Sequence, residues 1–204
     1  MFKTILKTVF TVTIILTATP AIAADCSDPK AFVTSVKDDV LAILSSQSSD
    51  DEKRSKLDAD FRQVADTEWM SKFVMGRNYS KLTPEQQNEY AGVYADYLSA
   101  SYVEKFRQYN GETITINSVK QVNDDTNVDT TINRKDKAPV DVTYRIRKGA
   151  SCLKVADIVA EGVSLINTQR QDFASVFNSQ GYDGLIQVLK NKTQQLNSEA
   201  APAQ

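Results

Sequence analysis

The sequence predicts an α+β fold, an antiparallel sheet of about four strands wrapped by about six to seven helices. Three observations carry this. First, Val140, Val142, Tyr144 and Ile146 alternate with Asp141, Thr143, Arg145 and Arg147, the period-2 pattern of a strand with one buried and one wet face. Second, after Lys148-Gly149 the segment 152–159 resumes with apolar residues in both alternating sets, so both faces of that strand are covered and the two form a central hairpin. Third, helical stripes with recognisable caps precede and follow the strands.

The first residues read as an export signal rather than as part of the fold. Lys3 and Lys7 give a basic start, residues 9–16 an apolar stretch too short to span a bilayer, and Ala21-Ile22-Ala23 a small-x-small cleavage site. Segment 1–23 is therefore the signal, 24–196 a single domain, and 197–204 a polar, Ala-rich, disordered tail. Ala24 and Asp25 separate Cys26 from the cleavage site, which argues against a lipid anchor. Loss of Lys3 and Lys7 makes the exported chain two charges more acidic than the precursor's −2. Such a balance argues against nucleic acid, and less strongly against a brief encounter with membranes.

In chain order, Asp28 and Pro29 start a helix whose inward stripe is Phe32, Val33, Val36, Val40, Ile43 and Leu44. A polar run over 45–51 ends it. The next helix turns Leu57, Phe61 and Val64 inward and leaves Asp58, Asp60 and Arg62 in water. Segment 66–79 carries Trp69, Met70, Phe73 and Val74 at helical spacing and stops at Gly76. Thr83-Pro84-Glu85-Gln86 is a capping box that opens a long helix reaching about residue 107. Its inward row is unusually aromatic: Tyr90, Tyr94, Tyr97, Tyr102 and Phe106. Each buried tyrosine hydroxyl needs a partner, which suits packing on a sheet with a polar-edged cavity nearby. From Gly111 the period changes, with strands expected over 113–116 and 128–132, joined through Asn123-Asp124-Asp125. After Ile166 one helix carries Phe173, Val176 and Phe177 inward. A break at Gln180-Gly181 follows, and Asp183 caps a last helix with Leu185, Ile186 and Leu189.

The chemistry is marked by absences. The chain has no histidine, hence no imidazole base and no His-based triad. It has no Gly-rich phosphate loop, and two widely separated cysteines make no metal pattern. Export would place Cys26 and Cys152 where disulfides persist, and their pairing would staple the N-terminus to the central strand. The alternative is a small apolar core residue and a free thiol. Asp157 stands inside an otherwise apolar strand. It is either a buried acid paired with Arg145, Arg147 or Arg170, or a general base beside the Tyr144 phenol.

Several independent segments, in order, carry a family resemblance. They are Phe73-Val74-Met75-Gly76-Arg77, Thr83-Pro84-Glu85-Gln86, the strand from Val142 to Lys148, Lys154-Val155-Ala156-Asp157-Ile158, Glu161-Gly162-Val163-Ser164-Leu165, Arg170 and Phe173. Together they resemble the MlaC family of periplasmic phospholipid shuttles, also called toluene-tolerance auxiliary proteins. Two positions depart from the family pattern: Cys152 stands where a Trp is usual, and Asn78-Tyr79 where an aromatic-Trp pair is usual. The resemblance implies a twisted sheet of nuclear-transport-factor-like type with a deep apolar pocket between sheet and helices. It implies a periplasmic carrier, not an enzyme and without a cofactor, that holds diacyl phospholipid tails as cargo. It also implies two partners, an inner-membrane ABC transporter complex with a lipid-binding ring and an outer-membrane lipoprotein-porin complex. The apolar sets facing the sheet-helix interface, expected to line the pocket, are Phe73, Val74, Tyr97, Val142, Tyr144, Ile146, Val163, Leu165 and Phe173.

Overall fold

A computed structural model describes residues 26–107 and 109–199. Five α-helices and a five-stranded antiparallel sheet follow one another as α1 (Pro29–Ser45), α2 (Asp50–Val64), α3 (Thr67–Met75), a 3-10 segment (Gly76–Lys81), α4 (Pro84–Glu104), β1 (Thr113–Val122), β2 (Asp125–Asn133), β3 (Val140–Lys148), β4 (Leu153–Ala160), β5 (Val163–Ser164) and α5 (Leu165–Glu199). The sheet is a meander in the order β1-β2-β3-β4-β5. Among the described residues no helix is long and apolar enough to cross a membrane. The signal segment lies outside the described residues, as do 200–204. Asn197, Ser198 and Glu199, placed in the tail by the sequence, continue α5.

The helix starts are set by local chemistry. Asp28 accepts the Lys30 N–H, and the Thr83 hydroxyl and Gln86 side chain exchange hydrogen bonds with each other's backbone. A second capping box, Ser49 with Glu52, opens α2 inside the run that sequence reading treats only as polar linker. The helix count is lower than predicted because the last two helices run on as α5, broken at Gly181 (φ 71°, ψ −168°), a backbone conformation that suits glycine.

The strand count is higher by one. Glu161 and Gly162, both at positive φ (51° and 79°), turn the chain back so that Ser164 pairs with Val159 and Val163 with Ala160. A two-residue strand is too short for any alternation to announce it. β1 and β2 also run longer than expected. The β1 register shifts between Ile116 and Ser118, a bulge that reverses the phase of alternation beyond it. The predicted turn residues then close a tight link, with Asn123 in the left-handed region (φ 56°).

Apolar burial falls into three groups. The largest joins the end of α2 to α3, α4 and α5 around Tyr90, Tyr94, Leu98, Phe173 and Leu185. A second packs α1, through Phe32 and Val33, on Val128, Ile146 and Val155 of the sheet. The third, Val40, Leu57 and Val103, joins α1, α2 and α4. The Cys26–Cys152 disulfide ties the start of α1 to the chain just before β4, across 126 residues of sequence. Gly149 accommodates the adjoining turn: its N–H donates to the Cys152 carbonyl, and a Cβ there would meet that oxygen at 2.6 Å.

Candidate functional site

β3 presents two faces with different chemistry. On one, Val142 and Ile146 are buried and Tyr144 packs between the sheet and α1. Their neighbours across β2 are Thr130, Thr126 and Val128, and across β4 Ala160, Val155 and Ile158. This makes a continuous, mainly apolar sheet face. Burial pushes the Tyr144 phenol above its ordinary range.

The helical lining residues gather elsewhere. Phe73, Val74, Tyr97 and Phe173 belong to the α3–α4–α5 layer, where the Tyr97 and Phe173 rings meet edge to face at 5.7 Å. The structure thus separates the expected lining into two apolar layers. Val163 and Leu165 join neither, being 56% and 42% exposed. The reason is local: β5 is a two-residue edge strand whose Val163 faces outward, and Ile166, 2% exposed, takes the inward position at the start of α5.

The other face of β3 is ionic. A bulge between Arg145 and Ile146 leaves Ala156 as the extra residue of β4 and sets Arg145 opposite Asp157. Arg145 Nη2 lies 3.6 Å from Asp157 Oδ2, and its Nε lies 3.7 Å from Asp125. Asp157 is 1% exposed. It accepts a hydrogen bond from the Ser164 hydroxyl at 2.6 Å and one from the Ile166 N–H at 3.4 Å. Ser164 in turn accepts the Asn167 N–H and caps α5. The buried acid therefore anchors the first turn of α5 to the sheet, where the helix dipole favours negative charge.

Of the three arginines considered as partners, only Arg145 reaches Asp157. Arg147, beyond the bulge, pairs with Asp125 at 3.2 Å. Arg170 reaches back to α3, where it donates to the Phe73 carbonyl in the last turn of that helix at 2.7 Å. An aromatic platform links these cations. Arg147 lies 3.7 Å from the Trp69 ring centre and Arg145 5.6 Å, Trp69 stacks on Phe73 at 5.0 Å, and Arg170 covers Phe73 at 4.8 Å. Sequence reading placed Trp69 on an inward stripe without this role. The one sequence signal for the Ser164 cap was its spacing before the helix.

In the aromatic row of α4, Tyr90 and Tyr94 are fully buried and burial raises both phenols. Tyr94 donates to Gln169 at 2.6 Å, whereas the Tyr90 hydroxyl has no partner. Asp60, expected in water, has a buried Oδ2 without a partner. Burial, with nearby Asp39 adding, pushes its carboxyl from the ordinary 3.8 up to about 6. The folded chain thus holds this proton more tightly than the unfolded one. The group's stabilising contribution is full below pH 3.8 and is lost as pH rises through about 6. Asp60→Asn is expected to stabilise the protein at pH 7 by about 1 kcal/mol, after allowance for solvent screening, and by much less at pH 4. Urea midpoints at the two pH values check this, and an equal gain at both would remove the titration from the explanation.

Cavities open on the helical side among the described residues. One of about 380 Å3 lies among Arg54, Asp58, Arg62 and Asp96 of α2 and α4. Another, about 540 Å3, lies between the end of α3, the 3-10 segment and α5. Among the described residues no cluster of His, Cys, Asp or Glu is disposed to hold a metal ion.

An antiparallel meander with α1 packed on its apolar face and a separate apolar layer of α3, α4 and α5 defines an α+β domain. The profile of the MlaC protein family matches residues 34–191, and the chain belongs to that family. Among its relatives is the intermembrane phospholipid transport system binding protein MlaC of Haemophilus influenzae, 24% identical over 141 residues. That match spans 67% of this chain and 66% of the relative. A solved structure, the phospholipid-binding protein from Ralstonia solanacearum in complex with a phospholipid, superposes with a TM-score of 0.74 at 27% identity. It covers 84% of this chain and 99% of the other.

Proposed function

We propose that this protein is a periplasmic phospholipid carrier, exported by the signal at 1–23 and folded as one lipid-binding domain over 24–196. The observation that carries the reading is the likeness, over 84% of this chain and 99% of the other, to a protein solved with phospholipid bound. The sheet residues Val142, Tyr144 and Ile146 and the helical residues Phe73, Val74, Tyr97 and Phe173 supply the apolar surface that holds the acyl tails. Val163 and Leu165 stand at the rim.

Physical chemistry gives such a carrier its purpose. Two chains of about sixteen carbons cost on the order of 25 kcal/mol to place in water, at about 0.8 kcal/mol per CH2. Free diffusion across an aqueous space is excluded by that figure. Exchanging bilayer for an apolar protein interior is nearly neutral, so loading at one membrane and release at the other need no chemical step. The partners are an inner-membrane ABC transporter complex with a lipid-binding ring and an outer-membrane lipoprotein-porin complex, and the cycle maintains outer-membrane lipid asymmetry. No cofactor takes part. Asp157 supports this reading over an enzyme with Asp157 as base, since both its oxygens already accept hydrogen bonds within the fold.

Native mass spectrometry of protein purified without detergent tests the proposal, with copurified phospholipid expected and a clean apoprotein mass opposing it. Tyr144→Asp places a charge where tails must lie and is expected to lower the copurified fraction by more than about tenfold. A folded variant that keeps the wild-type lipid ratio would remove Tyr144 from the lining.

A further inference from the structure

We propose that the cavity between α3, the 3-10 segment and α5 is a phosphate-binding site that takes the phosphodiester of the cargo's head group, an inference that rests on the carrier reading. Three cations line it, Arg77, Lys81 and Arg170, and no carboxylate does. Arg62, Arg107, Arg145 and Arg147, by contrast, each have a carboxylate within 4.0 Å. Three like charges around one opening repel each other, and an anion between them relieves that repulsion.

Arg170 and Lys81 are held in place. Arg170 is fixed by its bond to the Phe73 carbonyl and by the Phe73 ring beneath it. Gly76, at φ +57°, keeps the space beside that guanidinium clear, because a Cβ there would stand 2.9 Å from Arg170 Nη2. Lys81 donates to the Asn78 amide oxygen, which leaves the amide N–H groups of Asn78 as further donors.

Size and lining favour a phosphodiester over a bare ion. About 540 Å3 exceeds what one phosphate fills and admits a glycerol and a small head group. Val74, Met75 and Ala174 form an apolar side of the cavity, and Val74 and Met75 belong also to the helical layer assigned to the tails. A lipid whose phosphate sits among the three cations would therefore meet apolar wall on its acyl side.

The test uses the exported chain, 15N-labelled, with three probes: dihexanoyl phosphatidylglycerol as monomers, inorganic phosphate, and an Asp/Glu-rich peptide. The short-chain lipid is expected to shift the amides of Gly76, Arg77 and Asn78. Arg77→Gln/Lys81→Gln, both at exposed positions, should weaken its binding at least about tenfold. Arg77→Gln alone, with a smaller loss, serves if the double variant does not fold. Equal affinity for inorganic phosphate would overturn the assignment to a head group. Shifts with the acidic peptide alone would overturn it in favour of a protein partner. No shift with any probe, in protein that copurifies with phospholipid, would overturn the site and leave the carrier; absence of copurified lipid would instead strike the carrier reading.

Discussion

Reduction of the Cys26–Cys152 bond is expected to lower the melting temperature by about 10–20 °C. The bond closes a loop spanning 126 residues of sequence. Loop-closure entropy for a ring of that size is roughly 4–5 kcal/mol, and a domain of this length moves about 2–4 °C per kcal/mol. The native state adds a local consequence. α1 reaches the sheet mainly through Phe32 and Val33, and the bond holds its first turn against the strand that carries Val155. Freed from it, α1 should fray from its N-terminal end before the α3–α4–α5 layer opens. Calorimetry with and without reductant, beside Cys26→Ser/Cys152→Ser, measures the effect. A shift below about 3 °C, or two free thiols on labelling the unreduced unfolded protein, would defeat the expectation.

What the sequence discloses depends on how local its cause is. The cap at Thr83 and the alternation from Val140 to Lys148 depend on a few neighbouring side chains, and both elements lie where the pattern puts them. β1 runs longer than its alternation shows because a bulge at Asn117 shifts its register against β2, and that bulge is set by pairing with Asp129 and Thr130 of the next strand. The disulfide rested on the export signal and a pair of cysteines, information that is global but simple. The site was legible in outline only. The apolar sets of β3, α3, α4 and α5 are visible as stripes, yet their division into a sheet layer and a helical layer is a tertiary fact. Asp157 announced itself as an acid in an apolar strand. Its choice of Arg145 over Arg147 could not be read, because the β3–β4 bulge decides which arginine stands opposite it.

Asp157→Asn is expected to destabilise the fold by about 3–5 kcal/mol, the range for breaking a buried ion pair by removing one partner. The size follows from what the carboxylate joins. Its two oxygens serve the Ser164 hydroxyl and the Ile166 N–H, while Arg145 Nη2 lies 3.6 Å away. Arg145 has little else to rely on: its Nε and Nη2 are buried without hydrogen-bond partners, and Asp125 is shared with Arg147. An asparagine keeps one acceptor for Ser164 or Ile166 but turns an amide N–H2 toward a guanidinium that it cannot neutralise. Two companion variants separate the contributions. Ser164→Ala removes the cap alone and should cost about 1 kcal/mol. Arg145→Met leaves the more deeply buried charge, Asp157, without its counter-ion though with both hydrogen bonds, and should cost at least as much as Asp157→Asn. Hydrogen exchange gives the local readout, with protection lost first in the opening turn of α5 around Ile166 and Asn167. A structural anchor also predicts that any Asp157→Asn protein that folds still copurifies with phospholipid. A variant as stable as wild type would sink the ion-pair account and return Asp157 to the general-base reading.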